Sequence, residues 1–211
     1  GLVKQLAEAN DPLTTLPINA MLPHQLADLC ALSKARLIHI STDCVFNGEK
    51  GNYKESDVSD ATDLYGKSKF LGEVDYPHAI TLRTSIIGHE INSAHSLLDW
   101  FLLQNDTCKG YQKAIFSGLP TVVLAKIIRD VVLPNTSLSG VYHVAAKPIS
   151  KYDLLTTVAE VYGKSIEIKS DDSLVIDRSL DATKFNLATG YSVPEWVDLI
   201  KIMHSYQSVS L

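Results

Sequence analysis

Short apolar runs rich in β-branched residues alternate along this chain with longer stretches of helical periodicity, and that alternation restricts the fold more than any other feature. RLIHIS (36–41) follows an apolar helical segment (16–32) and reads as a buried strand. AITLRTS (79–85), QKAIFSG (112–118), GVYHVAA (140–146) and SIEIKSD (165–171) are further expected strands. Helices are expected at 63–75, 96–104, 122–132, 151–162 and 194–206. Ser150 is placed to cap the fourth of these, and Pro120-Thr121 opens the third. Such alternation predicts an α/β fold, a parallel sheet with helices on its faces. The 211 residues, 45% hydrophobic and 20% charged, are enough for one large domain or two small ones. No linker, repeat or low-complexity segment interrupts them.

Composition excludes several classes of function. The net charge is −5 without a lysine or arginine cluster, which argues against a nucleic-acid partner or an anionic membrane surface. No apolar run approaches the roughly 18 residues of a membrane helix, and the opening GLVKQLAEAND is too polar for a signal peptide. The cysteines, Cys30, Cys44 and Cys108, are odd in number and widely spaced. They predict neither disulfides nor zinc, and make a reducing cytoplasm the expected location. The histidines lack metal-site spacing, so no metal is expected.

A sheet that binds a dinucleotide normally carries G-x-G-x-x-G between its first strand and helix, because backbone amides there hold the pyrophosphate. None of the 11 glycines forms that cluster, and no strand precedes the first helical segment.

Two motifs carry chemistry. In ISTDCVFNG (40–48) a strand ends in Ser-Thr-Asp, at the carboxyl edge where parallel sheets bind ligands; the same residues also suit an ordinary turn. In LYGKSKFLGE (64–73) Tyr65 and Lys69 lie four apart, on one helix face, with Lys67 pointing away. An ammonium beside a phenol would lower the tyrosine's pKa and let it exchange a proton with a carbonyl near neutral pH. Nine tyrosines and 15 lysines produce about 0.6 such pairs by chance, so the tetrad alone decides nothing.

Together the motifs do decide. A strand ending S-T-D, a Y-x-x-x-K helix and a later strand ending L-R-T-S resemble the extended short-chain dehydrogenase/reductase family, and within it the dTDP-4-dehydrorhamnose reductase group of sugar-nucleotide reductases. LRTSIIG, SGLPT, GVYHVAA and DRSLDATKFNLATGY match later landmarks in order, so the likeness covers nearly the whole chain. It implies a parallel Rossmann-type sheet, of which this chain holds the carboxyl-terminal part, and a smaller mixed α/β substrate-binding lobe. Residues 1–88 would be a partial NAD(P)-binding domain lacking its glycine-rich loop. Residues 89–211 would be mainly the sugar-nucleotide lobe, with 140–146 returning to the sheet. On this expectation about the first third of the enzyme lies before Gly1, and the fragment alone is inactive.

The resemblance also implies roles. Thr42 would hydrogen-bond the reacting carbonyl, Tyr65 would deliver the proton, and Lys69 would hold the cofactor ribose and lower the tyrosine's pKa. Asp43 would touch the sugar, and Ile86 would stand in the substrate pocket. The implied reaction is reduction by NADPH or NADH of a keto group on a nucleoside-diphosphate sugar, by a cytoplasmic enzyme; the likeness admits a homodimer. Two alternatives are an epimerase or dehydratase on the same site, and a non-catalytic subunit resembling the regulatory subunit of methionine adenosyltransferase.

The sequence departs from the group at Cys44 and Ile86, where aromatic residues are usual, and carries Asn47 in place of aspartate. The two lost aromatics predict a wider, less polar sugar pocket. Cys44 is expected to pack rather than react. Arg178 and Lys184 could meet a diphosphate or simply be solvated. His143 is expected to be a core or edge histidine, not a ligand. Asn19 fits either a proton relay or a polar helix start.

Overall fold

The computed structural model describes residues 1–4, 6–90 and 96–207, with residue 207 in backbone only. In chain order the strands are β1 (Leu37–Thr42), β2 (Ala79–Thr84), β3 (Ile86–Ile87), β4 (Thr107–Tyr111), β5 (Ala114–Phe116), β6 (Leu119–Pro120), β7 (Gly140–His143), β8 (Ile149–Ser150), β9 (Glu167–Asp171) and β10 (Ile176–Asp177). The α-helices are α1 (Pro12–Thr15), α2 (Leu22–Leu32), α3 (Leu64–Leu71), α4 (Leu97–Leu103), α5 (Thr121–Ile127), α6 (Lys151–Tyr162), α7 (Thr183–Thr189) and α8 (Trp196–Gln207).

The main sheet has the order β1-β2-β7, all parallel, with Thr42 opposite Thr84 and Arg83 opposite His143. All six residues of β2 are buried, as a central strand requires, whereas β1 is only half-buried over its first residues. Ile80 and Leu82 of β2 reach a core shared with Phe101, Leu154 and Leu199. The remaining strands form smaller pairings, β10-β5-β8, β3-β6 and β4-β9. The α/β class with parallel pairing is as expected.

Helix 16–32 differs in detail. The helical run starts earlier, at Pro12, where Asp11 accepts from the Leu13 amide at 3.1 Å, and it passes through a π-helical turn at Leu16–Met21. Pro17 and Pro23, inside the run, lack the amide protons that a regular ladder needs. Strand β4 was not expected, because TCKGY has no apolar alternation.

One buried ionic network ties the sheet to α3. Arg83 donates to both oxygens of Glu73, Nε to Oε1 at 2.8 Å and a terminal nitrogen to Oε2 at 2.6 Å, with side chains 4% and 5% exposed. The Ser41 hydroxyl also donates to Glu73, at 2.7 Å. Beyond Arg83 lies His143, fully buried and paired with the Tyr53 carbonyl at 3.0 Å, so it is a core histidine as expected.

Burial, and then the neighbouring Arg83 charge, push the His143 pKa from 6.5 down to about 4. The unfolded chain therefore takes up a proton in that interval and the folded chain does not. Stability from this residue should be complete above pH 6.5 and lost progressively as the pH falls toward 4. Urea midpoints that stay flat over this range, or that rise on acidification, would contradict a neutral buried His143.

Candidate functional site

β1 ends where the Thr42 hydroxyl accepts from the Cys44 amide at 3.1 Å, turning the chain into a 3-10 turn at Asp43–Val45. The same hydroxyl donates to the Asp43 carboxylate at 3.1 Å. Helix α3 begins at Asp63, whose side chain accepts from the Gly66 amide at 2.7 Å. Its inner face carries Tyr65, Ser68 and Lys69, and Lys67 is exposed, as the four-residue spacing predicts. Two glycines let this helix come close: a Cβ on Gly66 would strike the Cys44 carbonyl oxygen, and one on Gly72 the Asn19 carbonyl oxygen. That is the physical reason for glycine at these two positions of LYGKSKFLGE.

Thr42, Asp43, Tyr65 and Lys69 thus stand at the carboxyl end of the parallel sheet. The Thr42 hydroxyl approaches the Tyr65 phenol closely enough to favour its ionised form, but burial and the acidic surroundings of Cys44, Asp43 and Asp63 outweigh it. The net result is a Tyr65 pKa pushed up to about 12. This corrects the expectation that Lys69 lowers it. The Lys69 ammonium instead donates to the Ile40 carbonyl at 2.8 Å and faces His39 at 3.5 Å. Burial lowers the Lys69 pKa, against the pull of Glu73.

Asp43 has its pKa raised by burial, partly offset by Thr42 and by the nearby charge of Arg178. Cys44 is pushed up to about 11, chiefly by burial and then by Asp43, so it stays a thiol and packs as expected. Ile86 lies on β3 and is 56% exposed. Asn19 is buried in the π-helical turn, not at a helix start. It accepts from the Leu2 amide at 2.8 Å and donates to the Leu2 carbonyl at 3.1 Å and to Ser68 at 3.3 Å.

Lys151 begins α6. The fold brings it into electrostatic range of Asp43, Arg178 and Cys44, and burial lowers its pKa. No local pattern announces this, because β8 and β10 are two residues each and their pairing is non-local. Lys184 is engaged elsewhere, donating to the Val141 carbonyl at 2.7 Å. Among the described residues there is no cluster that could hold a metal, and no helix long and apolar enough to cross a membrane.

The RmlD substrate binding domain profile matches residues 5–201. The chain belongs to this family. Among relatives, dTDP-4-dehydrorhamnose reductase of Aggregatibacter actinomycetemcomitans is 29% identical over 206 residues, covering 86% of this chain and 70% of the relative. Methionine adenosyltransferase 2 subunit beta of Danio rerio is 30% identical over 140 residues, 60% of this chain and 43% of that protein. The crystal structure of dTDP-4-dehydrorhamnose reductase from Bacillus anthracis in complex with NADP superposes with a TM-score of 0.81 at 19% identity, over 97% of this chain and 78% of that one. The family fold is therefore the one seen here.

Proposed function

We propose that this member of the RmlD substrate-binding family reduces a keto group on a nucleoside-diphosphate sugar, using NADPH or NADH. The observation that carries this reading is the approach of the Thr42 hydroxyl to the Tyr65 phenol just past β1, with Lys69 on the same face of α3. Residues 1–88 are taken as the cofactor side and 89–211 as mainly the sugar-nucleotide lobe.

In this mechanism Thr42 donates a hydrogen bond to the keto oxygen and polarises it. Tyr65, protonated throughout the neutral range, transfers its phenolic proton to the same oxygen as negative charge develops there. The nicotinamide, when bound, supplies the hydride. Lys69 fits the ribose end of such a cofactor, since its ammonium has three donors and one firm bond, to the Ile40 carbonyl. Asp43 contacts the sugar. Cytoplasmic residence accords with three free thiols. A homodimer is supported by the exposed stripe Leu22, Leu26, Leu29 and Leu32 on the helix α2.

The reading is tested on the polypeptide as the cell makes it. Steady consumption of NADPH on addition of dTDP-4-dehydrorhamnose or a related keto sugar nucleotide supports it. Conversion without net consumption points to epimerisation or dehydration. The 30% identity to a methionine adenosyltransferase subunit favours one other reading, a non-catalytic subunit. Capture of a partner synthetase with no sugar reduction would establish it.

These 211 residues contain no G-x-G-x-x-G turn, hence no glycine-rich amide cradle for a pyrophosphate. By themselves they are expected to bind NADPH weakly and to be inactive. Submicromolar NADPH affinity in a fluorescence titration of this chain would refute that.

A further inference from the structure

His39 has no part in the proposed proton transfer, yet it lies against Lys69. Along β1 successive side chains alternate between the two faces of the sheet. Ser41 reaches Glu73, just past α3, so His39, two residues earlier, is on the same face and looks toward that helix. Its Nε2 stands 3.5 Å from the Lys69 Nζ, a long contact at the outer limit of a hydrogen bond. The same ammonium donates to the carbonyl of Ile40, the next residue of the strand, at 2.8 Å. Lys69 is 8% exposed, so its charge depends on partners rather than on water. Its hydrogen bonds within the described residues are these two.

Both partners are neutral acceptors. An ammonium has three donors and no acceptor, so Nε2 can meet it only through a lone pair, with the ring proton on Nδ1. Burial, and then the Lys69 charge, push the His39 pKa from 6.5 down to about 4, which keeps the ring uncharged in the neutral range. Glu73, the carboxylate that favours the charged form of Lys69, is already committed to Arg83 and Ser41. A carboxylate at position 39 would neutralise the ammonium and compete with a ligand for it. A carbonyl and an imidazole orient it through two bonds instead, and leave its charge and one N–H uncommitted.

We infer that His39 is a positioning residue for Lys69: its unprotonated Nε2, together with the Ile40 carbonyl, holds the ammonium so that one N–H remains for a ribose hydroxyl of the cofactor. This rests on the cofactor role proposed for Lys69 above. His39 acts through Lys69 and is assigned no contact with the reacting atoms.

Nitrogen-15 shifts of the imidazole, measured at neutral pH on the polypeptide as the cell makes it and without cofactor, give the tautomer. The neutral Nδ1–H form is expected. An Nε2–H ring would set donor against donor, and overturns the inference with the reductase reading intact. Fluorescence titration with NADPH gives the consequence. His39→Leu should weaken binding about fivefold, the lower end for a hydrogen bond to a charged group because the contact is long. His39→Gln, whose amide oxygen can stand in for Nε2, should keep most of the affinity. In a Lys69→Met background His39→Leu should have no further effect, since nothing is left to position. Full additivity there would mean that His39 acts by another route, and the inference falls. It falls equally if His39→Leu binds NADPH as the unmodified protein does. Thermal melting verifies folding; should the leucine variant not fold, the tautomer of the unmodified protein still decides. If the unmodified protein binds no NADPH, the cofactor reading and this inference fall together.

Discussion

Tyr65→Phe is expected to lower kcat by roughly 10²–10⁴-fold, the range for loss of a positioned general acid. The ring remains, so the packing of α3 on β1 is kept and the melting temperature should hardly move. In the proposed mechanism the phenol gives its proton to an oxygen held by Thr42. With its pKa pushed up to about 12, it is in the acid form throughout the neutral range. Reduction therefore needs no prior protonation step. Steady-state rates across a panel of keto sugar nucleotides, with the polypeptide as the cell makes it, provide the measurement. Turnover within a few fold of the unmodified enzyme would remove Tyr65 from the mechanism.

The second large effect concerns stability. Glu73→Ala would leave the Arg83 guanidinium, 3% exposed, without its carboxylate, and would also strip Ser41 of its acceptor. Breaking one side of a buried pair costs about 3–5 kcal/mol, because the remaining charge has lost both water and partner. The double replacement Glu73→Ala with Arg83→Met should recover much of this, since no charge is then stranded. Urea unfolding of the three variants gives both numbers. A loss under about 1 kcal/mol in the single variant would mean that water or another group reaches Arg83. Ser41 immediately precedes Thr42, so partial loss of the network should also loosen the candidate site.

The local half of this architecture is readable along the chain. The apolar runs that become β1, β2 and β7 are bounded by turn residues, and α3 lies within the helix expected at 63–75, with Tyr65 and Lys69 four residues apart on one face. Ser150 caps α6 as its position before the helix implies. The short strands β3, β6, β8 and β10 have two residues each, too few for any period to show. The buried partner of Arg83 was equally hidden. Nothing in L-R-T-S names Glu73, although G-E closes the neighbouring motif.

The sequence by itself determined the α/β class, the strand that ends in Thr42, and a helix that sets Tyr65 and Lys69 on one face. These follow from residue spacing and backbone propensity, which act over a few positions. Only the tertiary structure decided the charges. Whether Lys69 faces the phenol or the Ile40 carbonyl, whether Tyr65 is an easier or a harder acid, and which cations surround Asp43 all depend on burial and on residues far away in sequence. Desolvation penalises a charge by the water it loses, and that loss is fixed by packing rather than by neighbours along the chain. Lys69 is the clearest instance, four residues from Tyr65 along α3 and yet held by the Ile40 carbonyl and His39 of the strand that α3 packs against.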